Sequence, residues 1–226
     1  MFNDFRTAIS LKRLESYRQN GKDDLDTVSR CLWNVSLCEA FYPSLQLMEV
    51  GLRNAIHSAL SFSYRTPLWF KEPFLCQMCK EDVVQAENEL SSEGKDPADP
   101  DHLVSSFRFG FWVRLFGKHY QVPLWNNKTF LIRTFPHAKA TERTRSVLAE
   151  RVDKIRRFRN RVFHHESILK YNLGKRHAEI VEFVGFVNPA LSTTLGIIDR
   201  FPLVHSTAYF QQIETNLKIH CPRVEE

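Results

Sequence analysis

The sequence predicts an all-α protein, and three observations predict it. Apolar residues recur at three- and four-residue intervals along most of the 226 residues, the spacing that lines one face of a helix. No Asn-Gly or Asp-Gly pair stands between two alternating apolar runs, so the usual hairpin turn is missing. A composition of 43% hydrophobic and 12% aromatic residues supports one substantial core and carries no signature of a disordered or fibrous chain.

Helical spacing is clearest in residues 31–41, 45–60, 83–90, 103–116, 147–162, 180–187, 191–198 and 210–217. In the second segment Leu45, Met48, Leu52, Ile56 and Leu60 make the apolar face. Residues 91–102, SSEGKDPADPDH, are polar and broken by two prolines, which predicts a surface loop. Beyond it Phe107, Phe111 and Leu115 follow helical spacing and read most simply as core, with base stacking as the other reading. Pro189 and Pro202 bracket a short helix near the C-terminus. Neither side of the loop repeats the other and the composition does not shift across it, so residues 1–226 are expected to form a single domain.

Several function classes drop out early. The chain has no run of eighteen apolar residues, and charges fall where a signal peptide needs its apolar stretch. The expectation is a cytoplasmic protein without a membrane partner. Cys31, Cys38, Cys76, Cys79 and Cys221 are odd in number and irregular in spacing. Cys76 and Cys79 form a C-x-x-C, but no second Cys or His pair sits at zinc-finger spacing. Reduced, partly buried thiols are therefore favoured over metal or redox chemistry, and no metal or cofactor is expected.

The formal net charge of +5 is unevenly placed. Arg151, Lys154, Arg156, Arg157, Arg159 and Arg161 face only Asp153 within residues 151–161, so this one segment accounts for the whole excess. Such a distribution suits a protein that holds phosphates, although a charge run is also the ordinary look of a solvated helix face. The segment leads into FRNRVFHHE, residues 158–166, where two arginines, an asparagine, two histidines and a glutamate crowd together. Taking about 100° per residue from Leu148, Val152, Ile155 and Val162 define an apolar face, and Arg159 falls near its middle. A guanidinium there needs a carboxylate or an anion. Geometry leaves open an ion pair with Glu49 or Glu166 and a phosphate-holding role. His164, five residues on, lies about 140° from Arg159 on an unbroken helix, whereas Asn160 and His164 form an i,i+4 pair. Arg159 and His164 can therefore serve one phosphate only if the helix ends there or a second copy of the chain supplies one of them.

These residues resemble a known family. Arg159-Asn160-x-x-x-His164 is similar to the R-x4-6-H motif of HEPN ribonucleases, and FRNRVFHHE resembles the LRNRxxHHE signature of their Abi-like, abortive-infection branch. YPSLQLMEVGLRNAIHSAL, residues 42–60, looks like that branch's first helix, and FRFGFWVRLF, residues 107–116, like its aromatic block, so the resemblance is clearest over residues 33–168. It implies an HEPN-like helical bundle with additional C-terminal helices, a homodimer, RNA as substrate, an RNA or protein antitoxin as controlling partner, and metal-independent cleavage. The residue types suit that chemistry. Histidine exchanges protons near neutral pH, arginine stabilises charge on a phosphate, and the 2′-hydroxyl of RNA is the nucleophile. By resemblance His164 is the acid/base, Arg159 meets the phosphate and Asn160 positions. Arg161, His165 and Glu166 support them, and Arg151, Lys154, Arg156 and Arg157 bind RNA.

Glu49, Arg53 and His57 recur every four residues beside the face built on Leu45. Arg53-Asn54-x-x-His57 looks like a shortened motif with one residue too few, so a supporting part is preferred to a catalytic one. The expected function is a ribonuclease toxin or antiphage effector. The alternative is an RNA-binding or regulatory protein in which the same cluster grips phosphates without cutting.

Overall fold

A computed structural model describes residues 2–220; Cys221 lies outside the described residues. The chain is all-α, with no strand among the described residues. The helices are α1 (Phe2–Ile9), α2 (Leu11–Glu15), α3 (Asp24–Tyr64), α4 (Gln77–Ser92), α5 (Pro100–Ser106), α6 (Phe109–Arg114), α7 (Lys128–Thr134), α8 (Arg145–Phe163), α9 (Leu173–Val187), α10 (Pro189–Ile198), α11 (Phe201–Val204) and α12 (Thr207–His220). Among the described residues no helix is long and apolar enough to cross a membrane.

Three expectations change. Residues 31–41 and 45–60 join in one helix, α3, although Pro43 lies inside it and offers no N–H to the preceding turn. Ser44 Oγ donates to the Phe41 carbonyl at 2.9 Å beside the interruption. The segment 103–116 breaks in two, because Phe107 and Arg108 are extended between α5 and α6. The loop at 91–102 is shorter than its composition suggests. α4 runs to Ser92, and Asp99 caps α5 by accepting from the Asp101 and His102 amides, with Pro100 in the first turn.

The described chain forms two compact units. The first holds residues 2–45, Arg157–Ile180 and residues 195–220; the second holds Gln46–Arg156 and Val181–Thr194. In the first, Phe41 meets Phe158 and Phe201, each at 4.7 Å between ring centres. Leu14, Tyr17 and Cys31 pack with Ile9 and Leu169 and so seat α1 and α2 against the start of α3. Leu25, Val28 and Leu217 do the same for α12. In the second unit the rings of Trp69, Phe70, Phe107, Phe111 and Trp112 interlock, all buried. The aromatic block is core.

The first unit also holds a half-buried titratable pair. His177 Nε2 lies 2.9 Å from Asp199 Oδ2, and the imidazole stacks on Phe201 at 4.4 Å. Burial pushes His177 below its usual 6.5, with Asp199 pulling the other way. A depressed histidine pKa means that the folded chain binds fewer protons than the unfolded chain, so this contribution is fully present above pH 6.5 and is lost as the pH falls below it through the lower folded value. His57 in the second unit is lowered by burial and adds the same sign. Urea midpoints should therefore fall between pH 7.5 and 5.5, and His177→Gln should show a shallower fall. An equal fall in the variant would remove His177 from the acid response.

Candidate functional site

FRNRVFHHE ends α8 by a specific hydrogen-bond pattern. The Glu166 amide donates back to the Arg161 carbonyl at 2.9 Å, and the His165 amide donates to the Val162 carbonyl at 3.2 Å. This is a Schellman cap, and His165 occupies its left-handed position with φ +57°. Glycine usually stands there because a Cβ is strained at positive φ. The His164 amide still donates to Asn160 at 2.8 Å, so His164 continues the helical path and the chain reverses only after it. Adjacent imidazoles therefore leave the backbone in different directions, and both are exposed.

Two residues far away in sequence hold this turn. Asn34 on α3, 2% exposed, accepts the Ile168 amide at 2.8 Å and donates to the Glu166 carbonyl at 3.4 Å. Arg13 on α2 donates to the His165 carbonyl. Within the turn, Arg161 donates to Glu166 Oε2 at 2.6 Å. Sequence reasoning named Arg161 and Glu166 but missed Asn34 and Arg13. The signal for Asn34 was available: taking about 100° per residue, it falls among Leu37, Cys38, Phe41 and Leu45 on the α3 face, where an amide must find partners. Nothing local marks Arg13.

The turn borders two cavities of the first unit. One, of about 690 Å³, is lined by both histidines, by Glu166 and by Lys12, Arg13, Arg18, Arg30, Arg161 and Lys170. Six cations face one carboxylate in the wall. Arg18 pairs with Glu15 and Asp24, Arg30 with Asp26 and Arg161 with Glu166, whereas Lys12, Arg13 and Lys170 have no carboxylate partner among the described residues. A positive concavity of this kind concentrates a polyanion. The second cavity, of about 800 Å³, is mostly apolar; Tyr42, Phe163, Val35 and Cys38 line it together with His165.

The other expected residues are distributed as follows. Arg159 is half-buried, and its guanidinium lies 4.2 Å from the centre of the Phe163 ring. It lines neither cavity, so within one chain the structure does not bring Arg159 and His164 to a common wall. The basic stripe of α8 divides. Arg157, exposed, belongs to the first unit, while Arg151, Lys154 and Arg156 belong to the second. There Arg151 bonds Glu142 and Glu182, each at 2.5 Å, Lys154 bonds Glu150 at 2.5 Å and Arg156 bonds Asp153 at 2.7 Å. Of these partners Glu142, Glu150 and Glu182 lie outside residues 151–161, so the charge excess read from that window is partly offset by carboxylates it does not contain. Glu49, Arg53 and His57 also belong to the second unit. Arg53 donates to the Ser105 carbonyl at 3.3 Å, and His57 Nδ1 accepts from the buried Trp69 indole at 3.0 Å. His57 is tied to the aromatic core as a hydrogen-bond acceptor.

Comparison with protein-family models, with curated proteins and with solved structures finds no match for this chain.

The supports of the turn make opposite predictions. Asn34→Ala leaves the buried Ile168 amide without its acceptor and should cost about 2 kcal/mol. His165→Gly relieves the left-handed strain, keeps the carbonyl that Arg13 holds, and should add roughly 0.5–1 kcal/mol. Urea denaturation measures both. A loss of stability in His165→Gly would show that its imidazole, and not its backbone, decides that position.

Proposed function

We propose that the chain is a metal-independent endoribonuclease of the HEPN type, acting in the cytoplasm as a toxin or abortive-infection effector. The observation that carries this reading is the pair of exposed histidines on a capped helix end, lining a cleft whose wall also holds six lysine and arginine side chains against one carboxylate. The resemblance of FRNRVFHHE to the Abi-like signature supports the same reading from the sequence. RNA fits both properties of the cleft: its phosphates neutralise the cations, and its 2′-hydroxyl supplies a nucleophile that histidine can deprotonate.

In this mechanism the RNA backbone enters along Lys12 and Lys170, the cations of the wall that hold neither a carboxylate nor a carbonyl among the described residues. His164 takes the 2′-hydroxyl proton while water protonates the departing 5′-oxygen, or His164 protonates the 5′-oxygen while water takes the 2′-hydroxyl proton. The 2′-oxygen attacks the adjacent phosphorus, the P–O5′ bond breaks, and a 2′,3′-cyclic phosphate remains. Arg159 stabilises the charge gathering on the non-bridging oxygens. It acts from a second copy of the chain, because in its own chain its guanidinium packs on Phe163 and is not among the side chains that line the His164 cleft. A homodimer with a two-fold axis beside this helix end brings each Arg159 to the other copy's His164. Asn160 and Glu166 position, and an RNA or protein antitoxin that covers the cleft silences the enzyme.

Purified protein should cut single-stranded RNA in EDTA, leaving 2′,3′-cyclic or 3′-phosphate ends, and should spare DNA of the same sequence. His164→Ala should abolish cutting while RNA affinity changes by less than about 1 kcal/mol. Lys12→Ala with Lys170→Ala should weaken binding and reduce its salt dependence more than Arg156→Ala does. Cleavage of DNA, or retention of cutting by His164→Ala, would overturn the mechanism; RNA binding without cutting by the wild type would leave a phosphate-gripping module.

The shared site has its own test. Arg159→Ala and His164→Ala chains, each inactive, should regain part of the activity when mixed and allowed to exchange subunits, since one of the two composite sites is then intact. No recovery despite measured exchange places each site within one chain.

A further inference from the structure

We propose that Cys76 and Cys79 form a dithiol that exchanges with small-molecule disulfides, with Cys76 as the attacking thiol and Cys79 as the resolving one. The inference is independent of the RNA reading and concerns the second unit alone.

The first observation is placement. Cys76 is the N-cap of α4 and Cys79 stands one turn inside it, so the three-residue spacing sets both sulfurs on the same edge of the helix start. The second observation is an asymmetry of access: Cys76 is half-buried, whereas Cys79 is fully buried. An incoming disulfide meets Cys76 first.

The third observation is a polar frame built around the pair. The Tyr120 hydroxyl, itself 2% exposed, donates to Cys79 Sγ at 3.2 Å and accepts the Cys76 amide at 3.2 Å. The Arg114 guanidinium, paired with Asp82, adds a positive charge that favours the Cys76 thiolate. Burial by itself would raise the Cys76 thiol, but hydrogen bonding from Cys79, its backbone amide included, and the Arg114 charge pull the other way, and Cys76 lies below its usual range. Thiols elsewhere show the contrast. Burial pushes Cys38 up to about 11 and raises Cys31, which keeps both protonated at neutral pH. A metal is the other use of a C-x-x-C, yet no group of three or more His, Cys, Asp or Glu among the described residues is arranged to hold one.

The exchange balances as follows. The Cys76 thiolate attacks one sulfur of a disulfide RS–SR, a Cys76–SR bond forms, and RS⁻ leaves with the electron pair of the broken bond. Cys79 then attacks the Cys76 sulfur, its proton passing to the second departing RS⁻. The dithiol loses two electrons and two protons, the small disulfide is reduced to two thiols, and the protein holds a Cys76–Cys79 bond.

The full chain should be equilibrated in a series of glutathione redox buffers at pH 7, trapped with a maleimide and analysed by peptide mass spectrometry. A Cys76–Cys79 disulfide should appear with a single midpoint. Cys79→Ser should accumulate glutathione on Cys76, and in wild-type protein under excess oxidised glutathione Cys76 should react at least about tenfold faster than Cys38. The rate comparison needs no variant and so does not depend on a substituted chain folding. Equal rates at Cys76 and Cys38, or maleimide labelling of both Cys76 and Cys79 across the whole redox series, would overturn the proposal.

Discussion

The candidate site depends on one buried amide. Asn34 sits on the apolar face of α3 and uses both ends of its side chain on the backbone of residues 166–168. A backbone segment entering a core must bring its N–H and C=O groups to partners, and here one side chain serves two of them. The segment that follows α8 is thereby fixed at a set distance beyond the helix end. Because the Schellman pattern fixes the turn from the other side, His164 and His165 are placed by hydrogen bonds of the main chain and not by contacts of their own rings. That leaves the imidazoles exposed and chemically available while their bases are held still.

Charge in this protein is decided by partners more than by counts. The run of cations in residues 151–161 looks in sequence like the main positive feature, yet Arg151 is held by Glu142 and Glu182, and Lys154 and Arg156 by their own neighbours. The cleft beside the histidines collects cations from α2, the start of α3, the end of α8 and the chain after it, none of which forms a run. Folding moves the positive field from where the sequence concentrates it to where separate segments meet.

This explains what could and could not be read in advance. The all-α class, the α8 face of Leu148, Val152, Ile155 and Val162, and the aromatic core at Phe107 and Phe111 were legible, because each rests on local periodicity and the structure buries all of these residues. The break at Phe107–Arg108 was not, since apolar spacing continues across it while the backbone turns extended. The two units were equally hidden. The chain passes between them within α3, α8, α9 and α10, so no linker composition marks a boundary. FRNRVFHHE was visible as a dense polar cluster, but the cleft around it needed Lys12, Arg13 and Lys170, whose role comes from tertiary placement alone.

The left-handed residue at the end of α8 has one more consequence. His165 borders both the cationic cleft and the apolar cavity beside Tyr42 and Phe163, whereas His164 borders only the first. The two cavities are therefore not independent compartments. A molecule in the apolar cavity and an anion in the cleft would both lie against the His165 ring, and if the two prefer different orientations of that ring, thermodynamic reciprocity requires each to alter the other's affinity by the same factor. Arg13 and Tyr17 border both cavities as well, so the shared wall is wider than one residue.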